Sequence, residues 1–371
     1  MNFAEKLLRA IAGRKETAIG LDIGSGSIKM AEVVMRGNKP FLRRAAVMAM
    51  PEHIVEEGSV VDEELLSEFL SRMAAKHGFS SGSVALALGG RSMFIREVVF
   101  PRMSEKELRE AIRWDLEKYV PFSAEQLYFD FWTIGPGSTE VDLRILLVAV
   151  PRDLVDTMVR VLGKSGLKMV AIEIEPLAVQ RTLPVAHDCM LIDIGADVSQ
   201  MTLFQNNCPV FTRSIPIGGD RITEAIMEKM HLPREQAERL KFNGGIGLVE
   251  SKHEVTSSSI VDAIDEALDD ALGVAEVEQF FTELSGEVRR TLEYYQVQNR
   301  SFTISQVFLT GGGAKTEGLT ERLSRALDLP VFLHDPIADM EITASFNREY
   351  LKGVGPQMSV AIGLAMRGLG A

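Results

Sequence analysis

Two copies of one short pattern place an acidic residue and a glycine at the end of an apolar segment. The first copy is GLDIGSGSIKM at residues 20–30 and the second is LIDIGADVSQM at residues 191–201, so Asp22 and Asp193 occupy matching positions. A carboxylate at the end of a buried strand is costly unless it is paired or faces a cleft. The glycine that follows permits a tight turn and lets backbone N–H groups approach an anion. Two such turns facing each other predict a clamp, with backbone amides for phosphate and carboxylates for hydrated Mg²⁺.

A lysine and a run of three glycines add to this candidate site. Lys29 lies one strand step beyond the first turn, where its ammonium group can meet a phosphate, and a solvated strand lysine is the alternative. Gly311, Gly312 and Gly313 follow an apolar segment and precede a predicted helix that begins at Lys315. Backbone without side chains can lie flat against a nucleobase or a phosphate, and a simple strand-to-helix corner is the alternative. The glycines do not fit GxxxxGK[ST], so no Walker-type phosphate loop is predicted.

Apolar patterns elsewhere predict the strands and helices that must position these turns. The predicted strands are residues 17–22, 27–35, 41–50, 83–88, 189–194, 200–205, 210–215 and 306–310. The predicted helices are residues 62–77, 220–230, 233–242, 315–327 and 359–367. The second half of the chain repeats the strand-turn-strand opening of the first half, which favours a duplicated α/β protein.

A block at about residues 90–170 has its own order of strands and helices, which predicts an inserted α+β subdomain. Its first helix begins with a Ser-Glu-Lys-Glu capping box at Ser104. The apolar stripe of this helix is Leu108, Ile112 and Leu116. Trp114 falls off the stripe, and two roles stay open for it: packing against another domain, or contact with a peptide.

The composition excludes several classes of protein. Hydrophobic residues make up 46% and charged residues 25%, which is typical of a globular chain. The 52 acidic residues outnumber the 40 basic ones, and a net charge of −12 argues against non-specific binding of nucleic acid. Two cysteines exclude a disulfide framework, and the six scattered histidines lack metal-ligand spacing. The longest apolar run, Ile145 to Val150, is too short to span a membrane.

Two segments have an uneven distribution of charge. Residues 1–16 form a basic amphipathic pattern, which predicts a helix that packs on its own domain or rests on an anionic membrane surface. Residues 253–288 contain ten acidic residues and neither Lys nor Arg. A solvated helical face is predicted there, with a binding site for a cationic partner as the alternative.

These motifs resemble the ATPase superfamily of actin, the heat-shock chaperones and the sugar kinases, in which two duplicated domains close on ATP. GLDIGSGSIK is similar to the first phosphate motif of that superfamily, LIDIGADVSQ to the second, and VFLTGGGAKTEGL to the adenosine motif. The resemblance implies an α/β, actin-like (ribonuclease H-like) duplicated two-domain fold with the insert in the first domain. The implied parts are a first core domain at residues 17–89 and 171–187, the insert at 90–170, a second domain at 188–358 with a helical subdomain at about 225–300, and a C-terminal helix at 359–371 that returns toward the first domain.

The same resemblance implies a role for each candidate residue. Asp22 and Asp193 would hold Mg²⁺ through water, and Glu175 matches the water-activating carboxylate of the chaperone branch. The residues implied to contact ATP are Gly24, Ser25, Gly26, Ser27, Lys29, Gly195, Ala196, Ser199, Gly218, Gly219, Asp220, Glu238, Lys241, Gly311, Gly312, Gly313 and Lys315. Asp197 stands in the second turn, where many members of the superfamily have glycine or threonine. Its negative charge would slow catalysis near the phosphates, and an outward-pointing side chain is the alternative. ATP binding is therefore the firmer expectation, and whether the chain is an enzyme stays open, with a slow ATPase as the most that is expected.

Within the superfamily, the segments DIGSGSIKMAEVV, EIEPLAVQR and FTRSIPIGGDRITEAI resemble the PilM family of type IV pilus assembly, with the cell-division family FtsA next. FtsA ends in a membrane-binding helix after a linker, whereas this sequence stops soon after residue 367, which favours PilM. The resemblance implies a cytoplasmic ATP-binding scaffold, peripheral at the inner face of the cytoplasmic membrane. It would dock the cytoplasmic N-terminus of a PilN-like inner-membrane protein near the insert, with nucleotide tuning the interaction. The alternatives are an FtsA-like cell-division or cytoskeletal protein and a small-molecule kinase.

Overall fold

The computed structural model of the protein describes residues 18–51, 53–56, 58–79, 82–89, 93–137, 139, 141–184, 188–242, 275–300, 302–344, 346–367 and 369. The predicted helix at residues 1–16 lies outside these residues, as do residues 243–274, which contain much of the acidic run and part of the predicted helical subdomain.

The first half of the chain alternates strands and helices. Its elements are β1 (Ile19–Ile23), β2 (Ser27–Arg36), β3 (Lys39–Ala49), β4 (Val55–Glu56), β5 (Ser59–Val60), α1 (Glu63–Lys76), β6 (Ser83–Leu88), β7 (Phe94–Pro101), α2 (Glu105–Asp115), β8 (Leu127–Pro136), β9 (Asp142–Pro151), α3 (Arg152–Lys164), β10 (Lys168–Ile174) and α4 (Glu175–Gln180).

The second half has the same alternation. Its elements are β11 (Cys189–Ile194), β12 (Ser199–Gln205), β13 (Cys208–Ile215), α5 (Asp220–Met230), α6 (Arg234–Lys241), α7 (Ala275–Gln298), β14 (Gln306–Thr310), α8 (Leu319–Leu327), β15 (Val331–Leu333), β16 (Glu341–Ile342), α9 (Arg348–Val354) and α10 (Ser359–Ala365). Short 3₁₀ turns occupy Gly313–Lys315 and Pro356–Met358.

The two main sheets have the same strand order. The first runs β10-β6-β1-β2-β3, with β16 added at the β3 edge, and the second runs β15-β14-β11-β12-β13. In each sheet the central strand, β1 or β11, has a parallel neighbour on one side and an antiparallel one on the other. Open α/β sheets bind ligands in the crevice beyond the carboxyl ends of their strands. Asp22 and Asp193 lie at these carboxyl ends.

Each sheet packs its apolar side chains against helices. In the first half, α1 begins at the predicted cap, where the Asp62 side chain accepts a hydrogen bond from the backbone N–H of Leu65. The helix α3 packs on α1 within the same core, and Arg160 of α3 pairs with Glu63 at 2.7 Å. By its packing, α3 therefore belongs to the first core domain. The predicted insert, residues 90–170, is too long because it includes α3. The prediction extended that far because α3 directly follows β9, the last strand of the insert.

The insert itself is a three-stranded antiparallel sheet, β7-β9-β8, with α2 on one face. The capping box at Ser104 and Glu107 is present, and the stripe Leu108, Ile112 and Leu116 is buried against the sheet. Trp114 is 85% exposed, so the predicted packing of this side chain against another domain is not found among the described residues. The indole ring faces solvent instead.

The chain returns to the first domain earlier than the boundary predicted at residue 359. Strand β16 pairs in parallel with β3, opposite Phe41 and Leu42, so the return begins by Glu341. The helix α10 then lies buried between the halves, and its backbone lies against β1 and α4 at two glycines. A side chain at Gly20 would overlap the carbonyl of Ala361, and one at Gly363 would overlap the carbonyl of Ala178.

Candidate functional site

A cavity of about 920 Å³ lies between the two halves of the chain, at the carboxyl ends of β1 and β11. The predicted residues that line it are Asp22, Gly24, Ser25, Gly26, Ser27, Lys29, Glu175, Asp193, Gly195, Ala196, Gly219, Asp220, Glu238, Lys241, Gly312, Gly313 and Lys315. The structure thus brings both acidic turns, the connecting carboxylate and the predicted nucleoside end together around one space.

The first acidic turn is closed by its own backbone and by an ion pair. The N–H of Gly24 donates to the carbonyl of Ser27 at 3.1 Å. Across the hairpin, Lys29 faces Asp22 in register, and its Nζ lies 3.1 Å from Asp22 Oδ2. Both side chains are largely buried, so Lys29 is not the solvated strand lysine that the sequence left open. It stands in the cavity wall as a cation beside the turn.

The second turn repeats this geometry and touches the first. The N–H of Gly195 donates to the carbonyl of Val198 at 3.0 Å, as in the first turn. A Cβ placed on Gly26 would lie only 2.9 Å from Cβ of Ala196, so the two turns are in contact across the cleft. Two tight glycine turns that meet at one point form the kind of backbone concavity that binds an anion.

Three predicted contact residues lie behind the cavity wall instead. The side chain of Ser199 is fully buried and donates to the carbonyl of Ile217 at 2.5 Å, so the prediction that it contacts phosphate is wrong. Gly218 packs against the carbonyl of Ala196 and supports the second turn. Gly311 adopts a φ of +88° and packs against Asp193. Its role is therefore to hold the acidic side chain in position and not to contact a ligand.

Three carboxylates share the inner part of the cavity with one lysine. Glu175 begins α4, and its carboxyl group fills the space that a side chain on Gly89 would need. Burial raises the pKa of Glu175 well above its usual value, and the charges of Asp193 and Asp22 add to the effect. Burial, followed by the charge of Asp22, raises the pKa of Asp193 to about 7, and Lys29 offsets only part of this. The site is therefore short of positive charge.

This shortage suits a divalent cation. Mg²⁺ keeps several of its waters and binds through one or two carboxylates together with phosphate oxygens. Within the described part of the chain, no group of three or more His, Cys, Asp or Glu side chains surrounds a single point, so the protein offers no complete ligand cage. Asp22 and Asp193 thus fit a hydrated ion held through water and do not fit a fully protein-ligated one.

The far end of the cavity combines buried lysines with an aromatic ring. Lys241 is 3% exposed and donates to Glu238 at 2.6 Å and to the carbonyl of Gly219 at 3.2 Å. Its Nζ and that of Lys315 lie 4.6 and 4.5 Å from the centre of the Phe242 ring. Burial lowers the pKa of Lys241 and lowers the pKa of Lys315 to about 8. Both ammonium groups lie over the ring as cation–π contacts, which hold the two lysines at this end of the cavity.

Several residues that line the cavity were not predicted from the sequence, and one helix begins later than predicted. Phe242, Gln200, Gln357 and Arg234 also line the cavity. Phe242 could have been predicted as a lining residue because it directly follows the predicted contact Lys241. Gln357 stands just before an apolar helix, and nothing in its neighbouring sequence indicates a ligand site. The glycine run leads into a 3₁₀ turn, and α8 begins only at Leu319, after a left-handed glycine, rather than at residue 315 as predicted.

The raised pKa of Asp193 predicts how the stability of the unliganded chain depends on pH. The folded chain keeps a proton on Asp193 up to about pH 7, whereas the unfolded chain loses it near pH 4. This residue therefore lowers stability as pH rises between about 4 and 7, by up to about 1.4 kcal/mol per pH unit, and has a constant effect above that window. Urea unfolding of the wild type and Asp193→Asn across pH 4 to 9 measures the difference. A difference that does not change with pH would contradict the shift.

Comparison with known proteins places this geometry in a family. Residues 20–257 match the family described as type IV pilus assembly protein PilM, and residues 190–363 match cell division protein FtsA. FtsA of Bacillus subtilis is 24% identical over 92% of this chain and 82% of its own length. FtsA of Neisseria meningitidis is 23% identical over 53% of this chain, a match that spans about half of that protein, 49%.

A solved structure is similar over nearly all of the chain. It is titled PilM-PilN type IV pilus biogenesis complex and is 26% identical, with a TM-score of 0.78 over 96% of this chain and 100% of that one. Together with the two matching sheets, this likeness confirms the predicted actin-like fold. The family match covers more than half of the sequence. The chain therefore belongs to the PilM family of type IV pilus assembly proteins.

Proposed function

We propose that the chain binds Mg-ATP in the cavity and that the nucleotide holds its two halves together. The observation that carries this proposal is the contact between the two acidic glycine turns, at Gly26 and Ala196, with Asp22 and Asp193 in the wall of one cavity. Titration of the purified chain with Mg-ATP by calorimetry tests it. Absence of saturable binding at millimolar ATP would remove the proposal.

Each part of the cavity has a role in this proposal. The backbone of both turns and Lys29 bind the phosphates, while Glu238, Lys241 and Lys315 face the nucleoside. Asp22 and Asp193 orient the hydrated Mg²⁺. When bound, Mg²⁺ neutralises phosphate charge and offsets the crowding of carboxylates.

The raised pKa of Glu175 favours slow ATP hydrolysis at most. A carboxyl group that activates water must be ionised, because it has to accept the proton. Burial raises the pKa of Glu175 in the unliganded chain, which disfavours the ionised form that would accept this proton. The exposed carboxylate of Asp197, on the second turn, adds further negative charge at the cavity wall. Both features favour a protein that binds ATP and hydrolyses it slowly at most.

We place this ATP-binding scaffold in the type IV pilus machinery, at the cytoplasmic face of the inner membrane. Membership of the PilM family supports a role in pilus assembly, and the similar solved structure is a PilM-PilN complex. No helix among the described residues is long and apolar enough to cross a bilayer. Attachment through a PilN-like membrane protein, by its cytoplasmic N-terminal peptide, is therefore the proposed link to the membrane.

The insert carries two exposed tryptophans, and one of them is placed for this docking. Trp114 lies on α2, and Trp132, 69% exposed, lies on β8 next to Leu146 of β9. Leu146 packs with Ile174 in an apolar cluster that joins the insert to the first core domain. An exposed aromatic ring beside a buried apolar cluster is a typical anchor point for a peptide. We assign the peptide contact to the face of the sheet that carries Trp132.

Trp132→Ala is expected to weaken binding of the PilN-like N-terminal peptide by about tenfold or more, because the largest apolar contact is lost. Fluorescence anisotropy with the labelled peptide measures this. Trp114→Ala is the matched control and should change the affinity less than twofold, since Trp114 lies on a different element. A loss of affinity only in Trp114→Ala would move the peptide contact to α2.

Mg-ATP should shift the affinity of the wild-type chain for the peptide by at least about fivefold if nucleotide tunes docking. Equal affinities with and without Mg-ATP would remove the tuning.

A further inference from the structure

One buried polar group in the cavity wall has no hydrogen-bond partner within the described residues. It is Nε2 of Gln357, in the 3₁₀ turn Pro356–Met358 that leads into α10. The side chain is 6% exposed and lines the cavity, with its Oε1 close to Gly312. A buried amide without a partner is costly, so its position needs an explanation.

The backbone of the turn that carries Gln357 is held firmly in place. The carbonyl of Pro356 accepts hydrogen bonds from the N–H of Gly311 at 3.1 Å and from Oγ1 of Thr310 at 2.7 Å. The hydroxyl of Ser359 donates to the same carbonyl at 2.9 Å. Three donors on one carbonyl lock the turn against the end of β14.

The same contacts place Gln357 near the acidic part of the cavity. Thr310 lies opposite Asp193 in the paired strands β14 and β11, and Gly311 packs against the Asp193 carboxylate. The turn that carries Gln357 also contacts β2, the strand of the first half that bears Lys29. Gln357 thus lines the cavity from a turn that contacts both halves of the chain, at the end of β14 beside Asp193 and at β2.

We infer that Nε2 of Gln357 donates a hydrogen bond to a phosphate oxygen of the bound nucleotide. An N–H donor requires an acceptor, and the non-bridging oxygens of a polyphosphate are strong acceptors in this part of the cavity. The donor is held ready before the ligand arrives, so part of the cost of the empty site is recovered on binding. This inference rests on the proposed function and adds a phosphate contact from the segment that joins the halves.

Two variants separate this role from a structural one. Gln357→Met keeps nearly the same volume but removes the donor, so affinity for Mg-ATP and Mg-ADP should fall about tenfold while adenosine, which has no phosphate, binds as before. Gln357→Glu puts a negative charge against the phosphates and should weaken Mg-ATP binding further, by about 30-fold or more. Gln279→Met, on the exposed face of α7, is the matched control and should leave both affinities unchanged.

Calorimetry for binding and thermal unfolding without ligand decide the outcome. The melting temperature of Gln357→Met without ligand should equal or exceed that of the wild type, because an unpaired buried donor has been removed. A lower melting temperature combined with unchanged Mg-ATP affinity would overturn the inference and give Gln357 a purely structural role. An equal loss of adenosine and ATP binding would also overturn it. If the wild type binds no Mg-ATP, the proposed function fails first, and this inference fails with it.

Discussion

Replacing either Asp22 or Asp193 with asparagine is expected to weaken Mg-ATP binding on the order of 100-fold. Both carboxylates line the same cavity at the ends of matching strands. A neutral amide cannot balance the charge of a hydrated cation, so each variant removes half of the proposed Mg²⁺ site. Calorimetric titration of each purified variant with Mg-ATP gives the loss. Wild-type affinity in both variants would contradict the assignment of the two turns to a clamp.

The two variants are also expected to change the stability of the unliganded chain in opposite directions. At pH 8 Asp193→Asn should unfold at a higher urea concentration, because ionised Asp193 is disfavoured in the fold. Asp22→Asn should cost about 2 kcal/mol, since it leaves the largely buried Lys29 without its ion-pair partner. Asp328→Asn is the matched control: it is exposed and left-handed, a conformation that asparagine tolerates, so affinity and stability should both stay unchanged. A stability loss in Asp193→Asn would contradict the electrostatic account.

The acidic turns could be predicted from sequence because they are local features. An apolar strand, an aspartate, a glycine and a second apolar strand lie within eleven residues, and the repeat appears twice. Sequence alone thus placed Asp22 and Asp193 at strand ends, where the structure has them. The contact between the two turns, at Gly26 and Ala196, joins residues far apart in the sequence. Only the likeness of the two halves of the sequence suggested it.

The errors concern residues whose surroundings are set by distant segments. Ser199 looked like a phosphate ligand from its place in the motif, but its hydroxyl is taken by Ile217, eighteen residues further along. Gln357 gave no signal, because its position in the cavity depends on how its turn binds to Thr310. The insert boundary was wrong for the same reason: the pairing of Arg160 with Glu63, which ties α3 to α1, joins residues 97 positions apart.

Gly363→Ala is expected to destabilise the fold by about 3 kcal/mol, although alanine is the better helix former. Gly363 lies inside α10, and its Cβ would overlap the backbone carbonyl of Ala178 in α4. A backbone atom cannot rotate away as a side chain does, so the two helices would have to separate. Urea unfolding of the variant measures the cost. Gly163→Ala in α3 is the matched control, since a Cβ there meets nothing within 4 Å and should stabilise the fold by up to about 1 kcal/mol.

Gly363→Ala is also expected to change the shape of the cavity and to weaken Mg-ATP binding. α4 begins with Glu175, and α10 follows the turn that carries Gln357, so moving these helices apart displaces both side chains in the cavity wall. Mg-ATP affinity of Gly363→Ala should therefore fall together with its stability, whereas Gly163→Ala should keep wild-type affinity. Wild-type stability and affinity in Gly363→Ala would show that α10 can move away from α4 at no cost. In that case the close helix contact would not be what fixes the two halves around the nucleotide.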